Sequence, residues 1–423
     1  MTEFAKKGWR ISEDWAVVLL GGILLVLVVA GVPFPMPSFG WANGNDLAEK
    51  VFSGKNIGSM LFLLLITLAI AAIGAIVTQK PLQHVLKAIP ILVVITIAAS
   101  ILAGNKSLSG IGLETVIFSL LLGLLIRNLF QLPEWLVNNV SAEFYVKIGL
   151  VLLGTNIIFG DILKAGLLGI VQSLVVVLSV WYFAFWLCKK YKVDTELSLM
   201  ISSAVSICGV SAAIATAGAI KGDNKKLSYV ISLVLVCAIP MLIGMPYIAK
   251  WLQLSPEVTG AWLGGTIDTT GAVVASGALV GEEALKMATI VKFSQNVLLG
   301  LAAFAISVYW TYIGKGDLQD ERRVSYKVLW ERFPKFVIGF ILASLFFSFV
   351  VSSETVAAAK PAIKSLQNLW FALAFTGIGL ETRFSDLFKE QNSKALKVFL
   401  VAQLFNVLIT LLVASLLFAH SWK

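Results

Sequence analysis

Two stretches of this 423-residue chain carry residue types better suited to holding ions than to facing lipid. Ser202-Ser-Ala-Val-Ser-Ile-Cys-Gly-Val-Ser-Ala-Ala-Ile-Ala-Thr-Ala-Gly218 is built almost throughout from small and hydroxyl-bearing residues. Gly264-Gly-Thr-Ile-Asp-Thr-Thr-Gly-Ala-Val-Val-Ala-Ser-Gly277 does the same and adds a carboxylate. Small residues permit a helix to unwind, and backbone that leaves helical geometry at membrane depth must be buried in protein or line a cavity. The free amide N–H groups at the start of a half-helix, aided by its dipole, then suit an anion. Close helix packing explains one such segment equally well. Two of them, one bearing Asp268, favour a binding site.

A carboxylate amid apolar residues requires a partner, a cation or a proton. Asp268 is therefore the candidate for a coupling ion, H⁺ or Na⁺. Lys292, inside the next apolar run, is the nearest obvious counter-charge in sequence, with snorkelling to the interface as its plainer reading. Asn156 and the group Ser294 to Asn296 neighbour these candidates, whereas interhelical hydrogen bonds suffice for Gln172, Gln403 and Asn406. The candidate binding set is Ser206, Cys208, Gly209, Ser211, Thr266, Asp268, Thr269, Thr270, Lys292 and Asn156. No catalytic pair, metal cluster or cofactor motif accompanies it. Cys188, Cys208 and Cys237 lie in separate apolar runs, and His84 and His420 are the only histidines.

The elements that must position these residues are membrane helices. Hydrophobic residues make up 58% of the chain and charged residues 13%, against about a quarter charged in soluble domains. Apolar runs recur from 15–32 to 395–418 and number about thirteen, at about 20 residues per span. The net charge of +9 reflects Lys and Arg in the connecting loops, as membrane orientation requires, and not nucleic-acid binding. With the N-terminus cytoplasmic, Lys189, Lys190, Lys192 and the polar loop fall inside. Lys221, Lys225 and Lys226 fall outside, an exception that one re-entrant segment would reverse. The expected organisation is a single transmembrane domain over 1–423, with a larger part at 1–313, a polar loop at 314–335 and three last helices at 336–423.

Gly154-Thr-Asn-Ile-Ile-Phe-Gly-Asp-Ile-Leu-Lys164 echoes Gly379-Leu-Glu-Thr-Arg-Phe-Ser-Asp-Leu-Phe-Lys389, with Gly, Phe, Asp and Lys at matching spacings. Each ends one apolar helix and begins another, as inverted-topology repeats of secondary transporters do.

Ser206-Ile-Cys-Gly-Val-Ser-Ala-Ala213, Gly265-Thr-Ile-Asp268 with Val273-Val-Ala-Ser-Gly277, and Phe375-Thr-Gly-Ile-Gly-Leu-Glu-Thr-Arg-Phe384 resemble the YeiH-type family of bacterial membrane proteins, often labelled sulfate exporters. The likeness covers nearly the whole chain. More distantly, the Gly154–Lys164 unit followed by Ser202–Gly218 resembles bile-acid/sodium symporters and cation/proton antiporters. The resemblance implies an inverted-repeat fold with crossed, broken helices, binding sites where the breaks meet, and often a homodimer. In one respect the chain departs from the family pattern, which commonly places His where Asp268 stands and an acidic residue where Thr269 stands. A histidine-based proton step is therefore not carried over.

The reading is an all-α polytopic membrane protein of about 11–13 transmembrane helices, in inverted repeats with two broken, crossing helices. It is expected in the bacterial inner membrane among membrane lipids, exporting a small inorganic or organic anion such as sulfate or sulfite by coupling to H⁺ or Na⁺. The alternatives are a sodium/proton antiporter and a non-transporting sensor or channel. No enzyme activity, P-loop or nucleic-acid partner is expected.

Overall fold

Helices start where side chains cap them. Ser12, Ser53, Asp194, Ser255, Thr269 and Ser352 each precede a helix and accept an amide hydrogen from its first turn, satisfying donors that have no intrahelical partner. In this computed structural model, residues 11–106, 115–157, 159–312, 330, 333–383 and 393–419 are described. Their main helices are α1 (Glu13–Val29), α2 (Gly54–Thr78), α3 (Leu82–Ala103), α4 (Thr115–Leu129), α5 (Ala142–Leu153), α6 (Phe159–Lys190), α7 (Thr195–Ser206) and α8 (Val210–Ile220). After them come α9 (Asn224–Trp251), α10 (Pro256–Thr266), α11 (Thr270–Val280), α12 (Glu282–Tyr312), α13 (Phe336–Phe349), α14 (Ser353–Glu381) and α15 (Ser393–Phe418). Among the described residues the one extended pairing is an isolated bridge between Trp41 and Asn105.

Seven of the described helical stretches are long and apolar enough to cross a membrane, and four shorter apolar helices accompany them. Their outer faces agree with a lipid environment. Leu404, Leu408, Leu412 and Leu416 of α15 are exposed at four-residue spacing, as are Leu163, Leu167, Val171, Leu174 and Leu178 of α6 at three or four. Such stripes form one continuous helix face, apolar where a water-soluble protein would be polar. The chain is an all-α polytopic membrane protein. Most of the expected polar loop at 314–335, half of the Gly379–Lys389 echo and His420 lie outside the described residues.

The helices group into two compact units, each drawn from two stretches of sequence: residues up to Phe159 with Lys335–Arg383, and Gly160–Pro334 with Phe384–Lys423. The two echoed segments are the places where the chain passes from the first unit to the second. In the first unit α14 packs on α4 and α5, and the Phe375–Phe384 motif supplies the means. A Cβ on Gly379 would sit 2.6 Å from the Leu120 carbonyl oxygen, and one on Gly377 would sit 2.9 Å from Ala142 Cβ. Thr376 and Thr96 share a buried hydroxyl–hydroxyl bond of 2.9 Å. Glu381 Oε1 accepts the Ala142 amide at 3.1 Å, capping α5, whose own N-cap, Ser141, gives its first turn no side-chain bond.

In the second unit the two small-residue segments are interrupted as expected, but their geometry differs from crossed, through-running spans. Each is a hairpin. Lys226 Nζ lies 2.7 Å from Asp194 Oδ2 and 3.1 Å from Glu196 Oε2; in one continuous helix residues that far apart in sequence would be separated by about 45 Å. α7 therefore runs inward, reverses at Ile207–Gly209 and returns as α8. Gly209 makes the reversal with φ +59°, a conformation that favours glycine. The second hairpin is α10–α11: Cβ atoms built on Gly260 and on Gly277 would both lie against the Ala284 carbonyl oxygen, which straight helices would not permit. α9, 28 residues long, leads from the open end of the first hairpin toward that of the second, so the two enter from opposite sides. The pattern of hairpin followed by long helix occurs twice, with lengths of 12, 11 and 28 residues and then 11, 11 and 31. The reversal also returns Lys221, Lys225 and Lys226 to the end carrying Lys189, Lys190 and Lys192, correcting the one exception in the loop charges.

Candidate functional site

The tips of the two hairpins meet. A Cβ on Gly209 would approach Asp268 Cβ to 3.0 Å and Val234 Cγ1 to 2.7 Å, so a hydrogen at this position is what lets the first tip lie on the second. At each tip the incoming helix ends, leaving carbonyls without intrahelical partners. Side chains of α12 and α15 take them up. Lys292 Nζ donates to Ile207 O at 2.9 Å, to Ile267 O at 2.8 Å and to Gln295 Oε1 at 2.7 Å. Gln295 Nε2 donates to Ser206 O at 2.9 Å and Gly265 O at 3.2 Å. Asn406 Nδ2 reaches Val205 O at 2.9 Å and Thr266 O at 3.2 Å, and Gln403 Nε2 also reaches Thr266 O at 3.2 Å. One buried cation and three amides thus bind both tips from behind, and the positive ammonium faces the negative ends of two helix dipoles.

Lys292 is 1% exposed. An ammonium has three hydrogens to donate, and all three are engaged with protein acceptors, so here it braces the tips and has none left for a ligand. Snorkelling is excluded by the same contacts. Ser206 is likewise engaged through its hydroxyl, which bonds back to Ser202 O at 2.7 Å. Thr266 and Asp268 are each 1% exposed, and Cys208 is buried in the first tip against Val177, Ala212 and Leu298.

The outgoing helices present their N-termini at the same place. No side chain caps α8, whose N-cap is Gly209, and Ser211 in its first turn is exposed. α11 begins at Thr270, with Thr269 accepting the Ala272 amide at 3.3 Å and Asn296 Nδ2 reaching Thr270 Oγ1 at 3.4 Å. Thr269 and Thr270 are partly accessible. Nine of the ten predicted residues therefore gather at or beside the tips within the second unit. The tenth, Asn156, belongs to the first unit, with Nδ2 3.1 Å from Gln367 Oε1. Gln295, which the sequence marks only as a neighbour of the candidates, belongs to the site, and so do Gln403 and Asn406, for which ordinary interhelical bonding sufficed. Their signal is spacing, since Lys292 with Gln295 and Gln403 with Asn406 each stand three apart in a helix, one face per pair.

Comparison with known proteins places these features in a family. The family model described as "Conserved hypothetical protein 698" matches residues 87–401. A UPF0324 membrane protein of Rhodopirellula baltica is 36% identical over 386 residues, covering 89% of this chain and 70% of its own. A UPF0324 membrane protein of Nitratidesulfovibrio vulgaris is 38% identical over 323 residues, covering 73% of this chain, and one from Nitrosomonas europaea is 30% identical over 307 residues, covering 64%. The chain spans 55% of the length of that N. vulgaris relative and 62% of the N. europaea protein. No solved structure matches the chain.

Proposed function

Because the chain belongs to the UPF0324 family of membrane proteins, the YeiH-type family that its motifs resemble, we propose that it is a secondary transporter exporting a small anion. The observation that carries this reading is the meeting of two hairpin tips entered from opposite sides, each followed by a half-helix whose N-terminus starts at the junction. Uncapped N–H groups of α8, the hydroxyls of Ser211, Thr269 and Thr270, and two dipole ends form a donor-rich, anion-favouring surface. Asp268 beneath it takes the coupling cation or proton. Discontinuous helices meeting at the centre of inverted repeats are how secondary transporters build such sites, and alternating access follows from moving one element against the other around them. A sulfate or sulfite ion suits the donors by charge.

Orientation follows from the basic residues. The open end of the first hairpin carries Lys189, Lys190, Lys192, Lys221, Lys225 and Lys226, and Lys397 lies over the Tyr191 ring at the same end. The open end of the second has Glu257, Glu282 and Glu283 beside Lys250 and Lys286. The lysine-rich end faces the cytoplasm of a bacterial inner membrane under the positive-inside rule.

The test is flux of labelled sulfate and sulfite in proteoliposomes under imposed pH and sodium gradients, wild type against Asp268→Asn. Gradient-driven flux that loses its gradient dependence in the variant upholds the reading. A folded protein that moves neither anion under any gradient refutes the sulfate-class assignment.

A further inference from the structure

The pairing of polar groups at the second hairpin tip leaves a remainder of one chemical kind. Its carbonyls are taken: Gly265 O by Gln295, Thr266 O by Gln403 and Asn406, Ile267 O by Lys292. Three buried side-chain oxygens, two of the tip and one of a residue whose amide reaches it, have no hydrogen-bond partner: Thr266 Oγ1, Asp268 Oδ2 and Gln403 Oε1. Thr266 and Asp268 are 1% exposed and Gln403 is 5% exposed. Gln403 joins the other two through its amide on Thr266 O and its interaction with the Asp268 carboxyl. A buried oxygen acceptor without a donor costs about 1–3 kcal/mol, more when charged, and a single positive ligand would satisfy all three.

We infer that the break in the second hairpin is a sodium site, with Asp268 Oδ2, Thr266 Oγ1 and Gln403 Oε1 as its side-chain ligands. The inference rests on the transporter reading only for its purpose, which is to make sodium the coupling ion; the site itself is a matter of binding. A proton satisfies a single donor–acceptor pair, whereas a hard monovalent cation accepts several oxygens at once. The ligand types are those of hard cations: carboxylate, hydroxyl and amide oxygen. With one carboxylate and the Lys292 ammonium already at the tips, a monovalent ion adds the smallest surplus of charge, and a divalent ion would add twice as much. Among the described residues no three His, Cys, Asp or Glu side chains cluster as a transition-metal site would need.

The experiment is thermal unfolding of the purified full-length protein in detergent at constant chloride, replacing choline by sodium, with no sulfate or sulfite present. At sodium concentrations about 100-fold above Kd the wild-type melting temperature rises by a few degrees. The rise disappears in Asp268→Asn, needs at least tenfold more sodium in the near-isosteric Thr266→Val, and persists in Thr289→Ala, whose hydroxyl bonds only within its own helix. No sodium-specific rise in wild type, as a bound proton or water at the tip would give, overturns the inference. So does a rise that survives intact in both Asp268→Asn and Thr266→Val. Because no anion is present, sodium binding can fail while anion flux stands, and flux can fail while binding stands.

Discussion

Gly209 and Asp268 face each other across the two hairpin tips, so close that a methyl group on Gly209 would stand 3.0 Å from Asp268 Cβ. The same methyl would enter Val234, and the backbone at Gly209 has φ +59°. Both conditions oppose any side chain. Gly209→Ala should lower stability by about 2 kcal/mol through strain and overlap together. It should also abolish anion flux by holding the tips apart. A variant with wild-type melting temperature and flux would show that the tips do not meet as described.

Lys292 tests whether the ammonium braces protein or binds ligand. Replacing it by Met leaves Ile207 O and Ile267 O buried without a donor, a loss of about 3 kcal/mol. The apparent melting temperature, read by fluorescence-detected size exclusion, should therefore fall even without substrate. Were Lys292 a ligand residue only, the substrate-free protein would keep its stability and lose flux alone.

The hairpin topology makes a labelling prediction. In a background with the native cysteines replaced, Lys192→Cys and Lys225→Cys should react with an impermeant maleimide from the same membrane face. Gln253→Cys, beyond the end of α9, should react from the other. Labelling of 192 and 225 from opposite faces would restore a through-running span.

At the open end of the first hairpin, burial pushes the Asp194 carboxyl upward, but the Lys226 ammonium and the Leu197 amide outweigh it and hold its pKa below the ordinary 3.8. A depressed carboxylate contributes stability that is complete above its unfolded value and is lost as pH falls through its folded one. Asp194→Asn should therefore weaken hydrogen-exchange protection of α7 at pH 7, with the difference from wild type vanishing in strong acid. A difference that grows as pH falls below 3.8 would contradict the pairing.

Glu381 offers a separate check in the first unit. Glu381→Ala removes the acceptor that caps α5 and should cost about 1 kcal/mol, while Glu381→Gln retains a carbonyl oxygen and recovers most of it. Equal melting temperatures for Ala and wild type would remove the capping role.

How much of this was legible beforehand depends on which physical signal each feature leaves. The apolar runs and the two small-residue segments were plain, because membrane burial fixes composition over some twenty residues. The hairpins were not, since α7 with α8 and α10 with α11 each add up to one span's length, and a reversal is marked by little more than Gly209. The misfit of Lys221, Lys225 and Lys226 was the available clue. Asp268 stood out as a lone carboxylate. Its neighbours Gln403 and Asn406 did not, because an amide in a membrane helix has many innocent uses and only folding shows which carbonyls it reaches. Asn156 was singled out as a neighbour of the candidates, and neighbourhood in sequence carries no distance in space.

The brace formed by Lys292 also bears on how the protein is made. Ile207 and the ammonium that satisfies its carbonyl are 85 residues apart, and a ribosome adding about 5–20 residues per second needs roughly 4–17 s to cover that distance. During this interval the first tip has unpaired backbone that lipid cannot satisfy. The hairpin is therefore born before its anchor and has to wait in a hydrated place until α12 emerges. A nascent chain arrested before residue 292 should leave the segment around Gly209 open to an aqueous thiol reagent at Cys208, and one released after α12 should close it.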